Sequence, residues 1–174
     1  MSDANSKYRI DEPTDIINYV RSGYHAFVGV DDPNKRDQFV ESLQVALDGE
    51  IQECITCGDI SGRRQFVARI VISCLNLVAA LGVPFLEERP NIASSLQEVM
   101  GVYSGRGRQG YLILSDMDRV IEMQRTFEFE GPLRSVMQLY DDVAVAIIAS
   151  NDTINGLVGD YDRPFYMSFR VFRL

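Results

Sequence analysis

Eight residues, Gly29-Val30-Asp31-Asp32-Pro33-Asn34-Lys35-Arg36, stand where a chain could hold a phosphate group. Upstream, Tyr24 to Val28 reads as a short buried strand. Downstream, Asp37 to Leu47 carries Phe39, Val40, Leu43, Ala46 and Leu47 at helical spacing. A strand, a turn and a helix form the context of the phosphate-binding loop G-x-x-x-x-G-K-[ST], whose backbone N–H groups wrap phosphate oxygens. Gly29 and Lys35 fall in register with the first glycine and the lysine. Asn34 takes the place of the second glycine, and Arg36 the place of the hydroxyl that would hold Mg²⁺. Gly29, Asn34, Lys35 and Arg36 are therefore the candidate nucleotide-binding residues of a loop that has lost parts.

Those losses have physical consequences. Wrapping phosphate needs glycine-like dihedrals and no side chain in the way. Pro33 removes one N–H donor. Asp31 and Asp32 place two carboxylates where a polyphosphate would lie, and two unit charges about 4 Å apart repel by roughly 1 kcal/mol even in water. A lysine left among such carboxylates is expected to pair with Asp116 or a neighbour. The alternative reading is an ordinary acidic strand-to-helix turn, with Asp31 or Asp32 as N-cap and Pro33 in the first turn.

Two more polar groups end apolar runs. Tyr111 to Ser115 reads as a buried strand and leads into Asp116-Met117-Asp118. One carboxylate at such a strand end can hold Mg²⁺ and a second can polarise water. Asp116 is the candidate metal ligand and Asp118 the candidate base if the protein is active, although either could simply cap the next helix. Val143 to Ala149 ends in Ser150-Asn151-Asp152. Elsewhere, Cys54 and Cys57 form a C-x-x-C that suits thiol redox chemistry, while zinc would need Cys74 and His25 in addition. Gly105 to Gly110 matches G-x-G-x-x-G but precedes a strand, so it reads as a connection and not a dinucleotide site.

The elements around these residues alternate. Ile51 to Cys57 is a strand candidate. Ser61 to Leu81 is a helix with Phe66, Ile70, Cys74, Leu77 and Leu81 on one face, and Asn91 caps another. Gly131-Pro132 starts a helix bearing Leu133, Val136, Met137 and Tyr140, and Phe169 to Leu174 alternates as an edge strand. Apolar strands alternating with helices predict an α/β protein, a parallel sheet covered on both faces. The 174 residues suit one domain, taken as 15–174 after a flexible N-terminus over 1–14. The net charge of −8 disfavours direct binding of nucleic acid or an anionic membrane. No run of membrane-spanning length and no signal-peptide pattern is present, so a cytoplasmic location is expected.

Taken together, the chain resembles the core of the prokaryotic, archaeal-type AAA (STAND-like) P-loop ATPases. Its best stretches are Leu133 to Gln138, Asp142 to Ser150, and Arg163-Pro164-Phe165-Tyr166-Met167-Ser168. The resemblance implies a three-layer P-loop NTPase-like sheet with the first strand beside the sensor strand. It makes Asn151 sensor-like, a residue of the kind that reads the γ-phosphate. As a departure from the family, the chain stops at the last core strand, so the lid domain is expected to be absent. No arginine is assigned as a trans-acting finger, and Arg134 and Arg163 are candidates only by expected exposure. The functional expectation is a non-catalytic domain with degenerate Walker motifs that binds no cofactor and acts through a protein partner or a homo-oligomer. Phe165, Tyr166, Phe169 and Phe172 are its interface candidates, on an edge open to pairing, the alternative being that they pack inward on the sheet's own helices. The rivals are an ATP- and Mg²⁺-binding ATPase or switch completed by a partner, and a small thiol redox protein.

Overall fold

The computed structural model describes residues 10–84, 91–123, 129–139, 142–166 and 169–174. Residues 1–9, Tyr140, Met167, Ser168 and the side chain of Val136, all used in the sequence reading, lie outside that set.

Three strands, apolar but for the terminal Ser115 of the second, form the middle of the sheet: β1 (Ala26–Gly29), β3 (Gly110–Ser115) and β4 (Val143–Ala149), every residue of which is buried. The shorter or more polar β2 (Ile51–Thr56) and β5 (Arg170–Arg173) take the edges. The order is β2-β3-β4-β1-β5, and every pairing is parallel. Side chains alternate between the two faces. Phe27, Leu112, Leu114, Val145 and Ile147 face one core, completed by α3 (Arg63–Ala79), α4 (Ile92–Arg106), α5 (Asp118–Met123), α6 (Glu130–Leu139) and α7 (Asn151–Gly159). Val28, Ile113, Ala146 and Ile148 face the other, covered by α1 (Pro13–Arg21) and α2 (Pro33–Ala46). The three-layer α/β architecture expected from the apolar pattern is the one observed. Among the described residues, no helix is long and apolar enough to cross a membrane.

Three local differences stand out. The helix after β1 starts at Pro33, so the turn contains only Val30, Asp31 and Asp32, not eight residues. Helix α1 begins at Pro13, inside the stretch expected to be flexible, and buries Ile16 and Val20. Helix α4 runs through Gly105 and Arg106 to a left-handed Gly107, so the G-x-G-x-x-G letters are mostly a helix end. Gly110 has a packing role there: a Cβ would come within 2.5 Å of the Tyr103 ring.

The edge and its aromatics also need correcting. β5 is an edge strand, but the outward N–H of Arg173 donates to the Asp11 carboxylate at 2.9 Å. The Asp11 N–H in turn donates to the Arg173 carbonyl at 2.8 Å. An edge of four residues blocked in this way is a poor template for strand pairing. Phe165 and Phe172 are buried in opposite cores, and Phe169 packs on the Phe165 side, against Phe27 and Phe165. Of the four interface candidates only Tyr166 is exposed. Apolar burial explains the inward turn, since β5 closes both cores. Phe172→Ala is therefore expected to cost about 3–5 kcal/mol of stability in chemical denaturation, with no separate effect on association. Unchanged stability would contradict the placement.

Candidate functional site

The strand ends where ligands bind in open α/β sheets are those flanking the point where the connections diverge. Here β1 leads through α2 towards β2, and β4 leads through α7 to β5. The ends of β1, β3 and β4 meet at that point. They bring together Arg36, Asp116, Asp118, Asp31 and Asn151, residues far apart in sequence.

Arg36 lies at the centre. Its side chain is only 9% exposed. Nη1 donates to Asp116 Oδ1 at 2.7 Å and to Asp118 Oδ2 at 3.1 Å. Nε and Nη2 donate to the Val30 carbonyl at 3.2 and 2.8 Å. The expected pairing of Lys35 with Asp116 is thus replaced by one with Arg36. α2 begins early enough to turn Arg36 inwards, while Lys35 is exposed with no ion-pair partner among the described residues. Asp116 reaches Arg36 from a left-handed backbone, φ 54°, a region unusual for a residue with a Cβ and least so for Asp and Asn.

Asp118 is held from the other side by β4 and α7. It accepts from the Ser150 N–H at 3.0 Å and from Thr153 Oγ1 at 2.6 Å. Burial works against its charged form, but the hydrogen bonds from Ser150 and Thr153, with Arg36 beside it, hold its pKa below the ordinary aspartate value. Asn151 is equally engaged. Its backbone N–H and its Nδ2 both donate to Asp31 at 2.8 Å, and its Oδ1 accepts from Arg173 Nη1 at 3.0 Å. The hydrogen bonds from Asn151 lower the pKa of Asp31. Gly29 is required by this contact, because a Cβ there would lie 2.2 Å from Asn151 Oδ1. Its lack of a side chain serves the packing of α7 on β1.

The start of α2 is capped internally. Asp32 Oδ1 accepts from the N–H groups of Asn34 and Lys35, at 2.9 and 3.4 Å, and Pro33 has no N–H to offer. The donors that a phosphate would use at a helix N-terminus are therefore engaged by a carboxylate or missing. A divalent ion about 4 Å from the guanidinium would meet about twice the roughly 4 kcal/mol that two unit charges feel near a protein surface. As arranged, these residues do not fit a Mg²⁺·nucleotide. Lys35, Asp116 and Asp118 stand at the strand ends in the expected order, but Asp116 and Asp118 are turned towards Arg36.

The other sequence candidates separate. Cys54 packs against the α1–α2 core, whereas Cys57 and Cys74 are buried in the opposite one. All three thiols are free, and burial pushes Cys54 up to about 11 and Cys57 and Cys74 up to about 12. Such thiols stay protonated at neutral pH and are poor nucleophiles. His25 is buried, with Nδ1 accepting from the Val145 N–H at 3.0 Å. Among the described residues no three His, Cys, Asp or Glu side chains converge as a metal-ligand set. Arg163 makes an ion pair with fully buried Glu130, and Arg134 is half-buried. A cavity of about 220 Å³ is lined mainly by apolar side chains, among them Phe66, Ile92, Val120, Met123 and Phe129, with Arg63 and Asn91, and none of the residues gathered around Arg36 lines it. Sequence reasoning missed Thr153 and Arg173, whose roles depend on α7 and β5 packing beside β1.

Asp118→Asn should lower stability by about 2 kcal/mol at pH 7, the scale of a hydrogen bond to a charged group. Because the folded pKa is depressed, that contribution is present above the ordinary aspartate value of 3.8 and lost as pH falls through the folded value. Denaturant melts of both proteins from pH 7 to pH 2 should show the difference constant, then closing below about pH 4. A difference that grows on acidification would contradict the assignment.

No protein-family model and no curated relative matches the chain. Solved structures do. A Walker-type ATPase of Pyrococcus abyssi superposes with a TM-score of 0.68 at 9% identity, over 98% of this chain and 53% of that one. A chain from the structure of Drosophila ORC bound to DNA gives 0.63 at 11% identity, over 93% and 85%. Cdc6p from Pyrobaculum aerophilum gives 0.52 at 14% identity, over 99% and 47%. The chain thus spans about half the length of the two archaeal proteins. Likeness at such low identity is likeness of fold, and with the observed strand order it establishes that the chain has the P-loop NTPase-like α/β fold.

Proposed function

We propose that this domain is a non-catalytic member of the P-loop ATPase-like folds, with degenerate Walker motifs, that acts through protein contacts. One observation carries the reading. The buried guanidinium of Arg36 joins Asp116 and Asp118, the two carboxylates that a nucleotide-hydrolysing site would need for its metal and its water. The cap on α2 and the engagement of Asn151 by Asp31 and Arg173 support it. Fold alone assigns no activity.

The partner class follows from charge. Drosophila ORC is bound to DNA in its structure, but a net charge of −8 gives this chain no broad basic surface for a phosphate backbone. A protein surface suits it better, either a second copy or a hetero-partner. Tyr161 and Tyr166, with ring centroids 5.5 Å apart, are exposed aromatics of the kind that anchor interfaces.

One observation favours the rival, a nucleotide-binding protein completed by a partner: Lys35 stands at the phosphate-binding lysine position and is exposed. Calorimetry separates the two. Titration of the protein with ATP and Mg²⁺ should give no binding heat at micromolar concentrations and no phosphate release. Micromolar binding that disappears in Lys35→Ala would overturn the proposal in favour of the rival.

A further inference from the structure

Arg36 occupies the eighth position of the loop pattern, where a hydroxyl would face a divalent ion, and its guanidinium meets the same carboxylates that such an ion would need. A magnesium ion at a site of this kind is held by one or two carboxylates, a hydroxyl, phosphate oxygens and water. Here the two carboxylates, Asp116 and Asp118, converge on a single nitrogen, Nη1. The hydroxyl of Thr153 and the N–H of Ser150 steady Asp118 from behind. The rest of the guanidinium is anchored on the Val30 carbonyl by Nε and Nη2, so the charged end is aimed and not merely nearby.

The charges explain why a single arginine can serve. The two carboxylates carry −2 and the guanidinium +1. With the guanidinium in place the cluster is left at −1, close enough to neutral for a partly buried site; without it the two carboxylates carry −2, which one divalent ion would neutralise. A guanidinium stays charged at all working pH values and needs no free ion in solution. Asp116, on its left-handed backbone, is held towards the centre of the cluster by this contact.

We propose that Arg36 is a built-in cation that takes the place of a divalent metal ion at the strand ends, making the native arrangement independent of metal, and that removing it uncovers a divalent-cation site formed by Asp116 and Asp118. The proposal rests on the non-catalytic reading above, but it can fail while that reading stands.

The test is a titration with Mn²⁺, followed by electron paramagnetic resonance of the free ion and by thermal melts. It uses the native protein, Arg36→Ser, Arg36→Ser/Asp116→Asn and Arg36→Lys. The native protein should melt at the same temperature in Mn²⁺, Mg²⁺ or chelator. Arg36→Ser should bind one Mn²⁺ at least about tenfold more tightly than the native protein, and its melting temperature should rise with the ion. Both gains should vanish in the double variant. Arg36→Lys, which keeps a positive charge, should fold and stay insensitive to Mn²⁺.

Several outcomes overturn the proposal. A folded Arg36→Ser protein that gains no Mn²⁺ affinity does so and leaves the non-catalytic reading intact. Native protein that binds Mn²⁺ through Asp116 does so as well. If Arg36→Ser folds neither with nor without Mn²⁺, Arg36→Lys decides: a folded, Mn²⁺-insensitive protein supports the exchange of cations, and an unfolded one refutes it. Micromolar binding of ATP and Mg²⁺ by the native protein would remove the underlying reading itself.

Discussion

A guanidinium keeps its charge at every physiological pH, so a buried arginine has to be met by acceptors and by negative charge. Arg36 meets this constraint with the Val30 carbonyl and with Asp116 and Asp118. The arrangement ties the first turn of α2 to the ends of β1 and β3. Through Asp118 it continues to Ser150 and Thr153 at the start of α7. Breaking one partner of such a pair leaves an uncompensated charge, which costs about 3–5 kcal/mol when the pair is fully buried. Water reaches both aspartates here, which reduces that figure.

A second chain of contacts runs beside the first. Asp31 accepts from Asn151, Asn151 accepts from the Arg173 guanidinium, and the Arg173 backbone N–H donates to Asp11. Through it the turn after β1, the start of α7, the edge strand β5 and the segment before α1 become one polar rim above the apolar sheet. P-loop ATPases use this rim to hold a ligand. In this protein the side chains bind one another. The three-residue turn between β1 and α2 is the geometric cause, since it starts the helix at Pro33 and points Arg36 inwards.

Much of this was legible in the sequence. The continuous apolar runs at 111–115 and 143–149 marked central parallel strands, because only strands covered on both faces can be apolar throughout. Asp116, Asp118 and Asn151 were legible for the same reason, as the polar residues that follow such runs. The length of the turn was legible only as one of two readings, and the short acidic turn capped by Asp32 is the one observed. Asp32-Pro33 reads equally as a loop interior or as an N-cap with Pro at the first helical position, and the capping hydrogen bonds decide for the latter. Arg36 was read as a missing hydroxyl, because its positive role depends on carboxylates some eighty residues away. The aromatics of the last segment were left open between an interface and the core, since alternation alone does not say which face of an edge strand is covered, and the burial of Phe165 and Phe172 decides for the core. Helix α1 left a readable trace in Pro13, Ile16 and Val20, a first-turn proline followed by an i, i+4 apolar pair that the core then buries.

The account stands or falls on whether the Arg36 guanidinium stays between its carboxylates when a nucleotide and its metal are offered. Nitrogen-15 NMR of arginine side chains measures this directly. The Nε–H of Arg36 should give a slowly exchanging signal that neither shifts nor broadens under a large excess of ATP and Mg²⁺. An Arg36 signal that exchanges rapidly in the free protein, or that moves as ATP and Mg²⁺ are added, would contradict it.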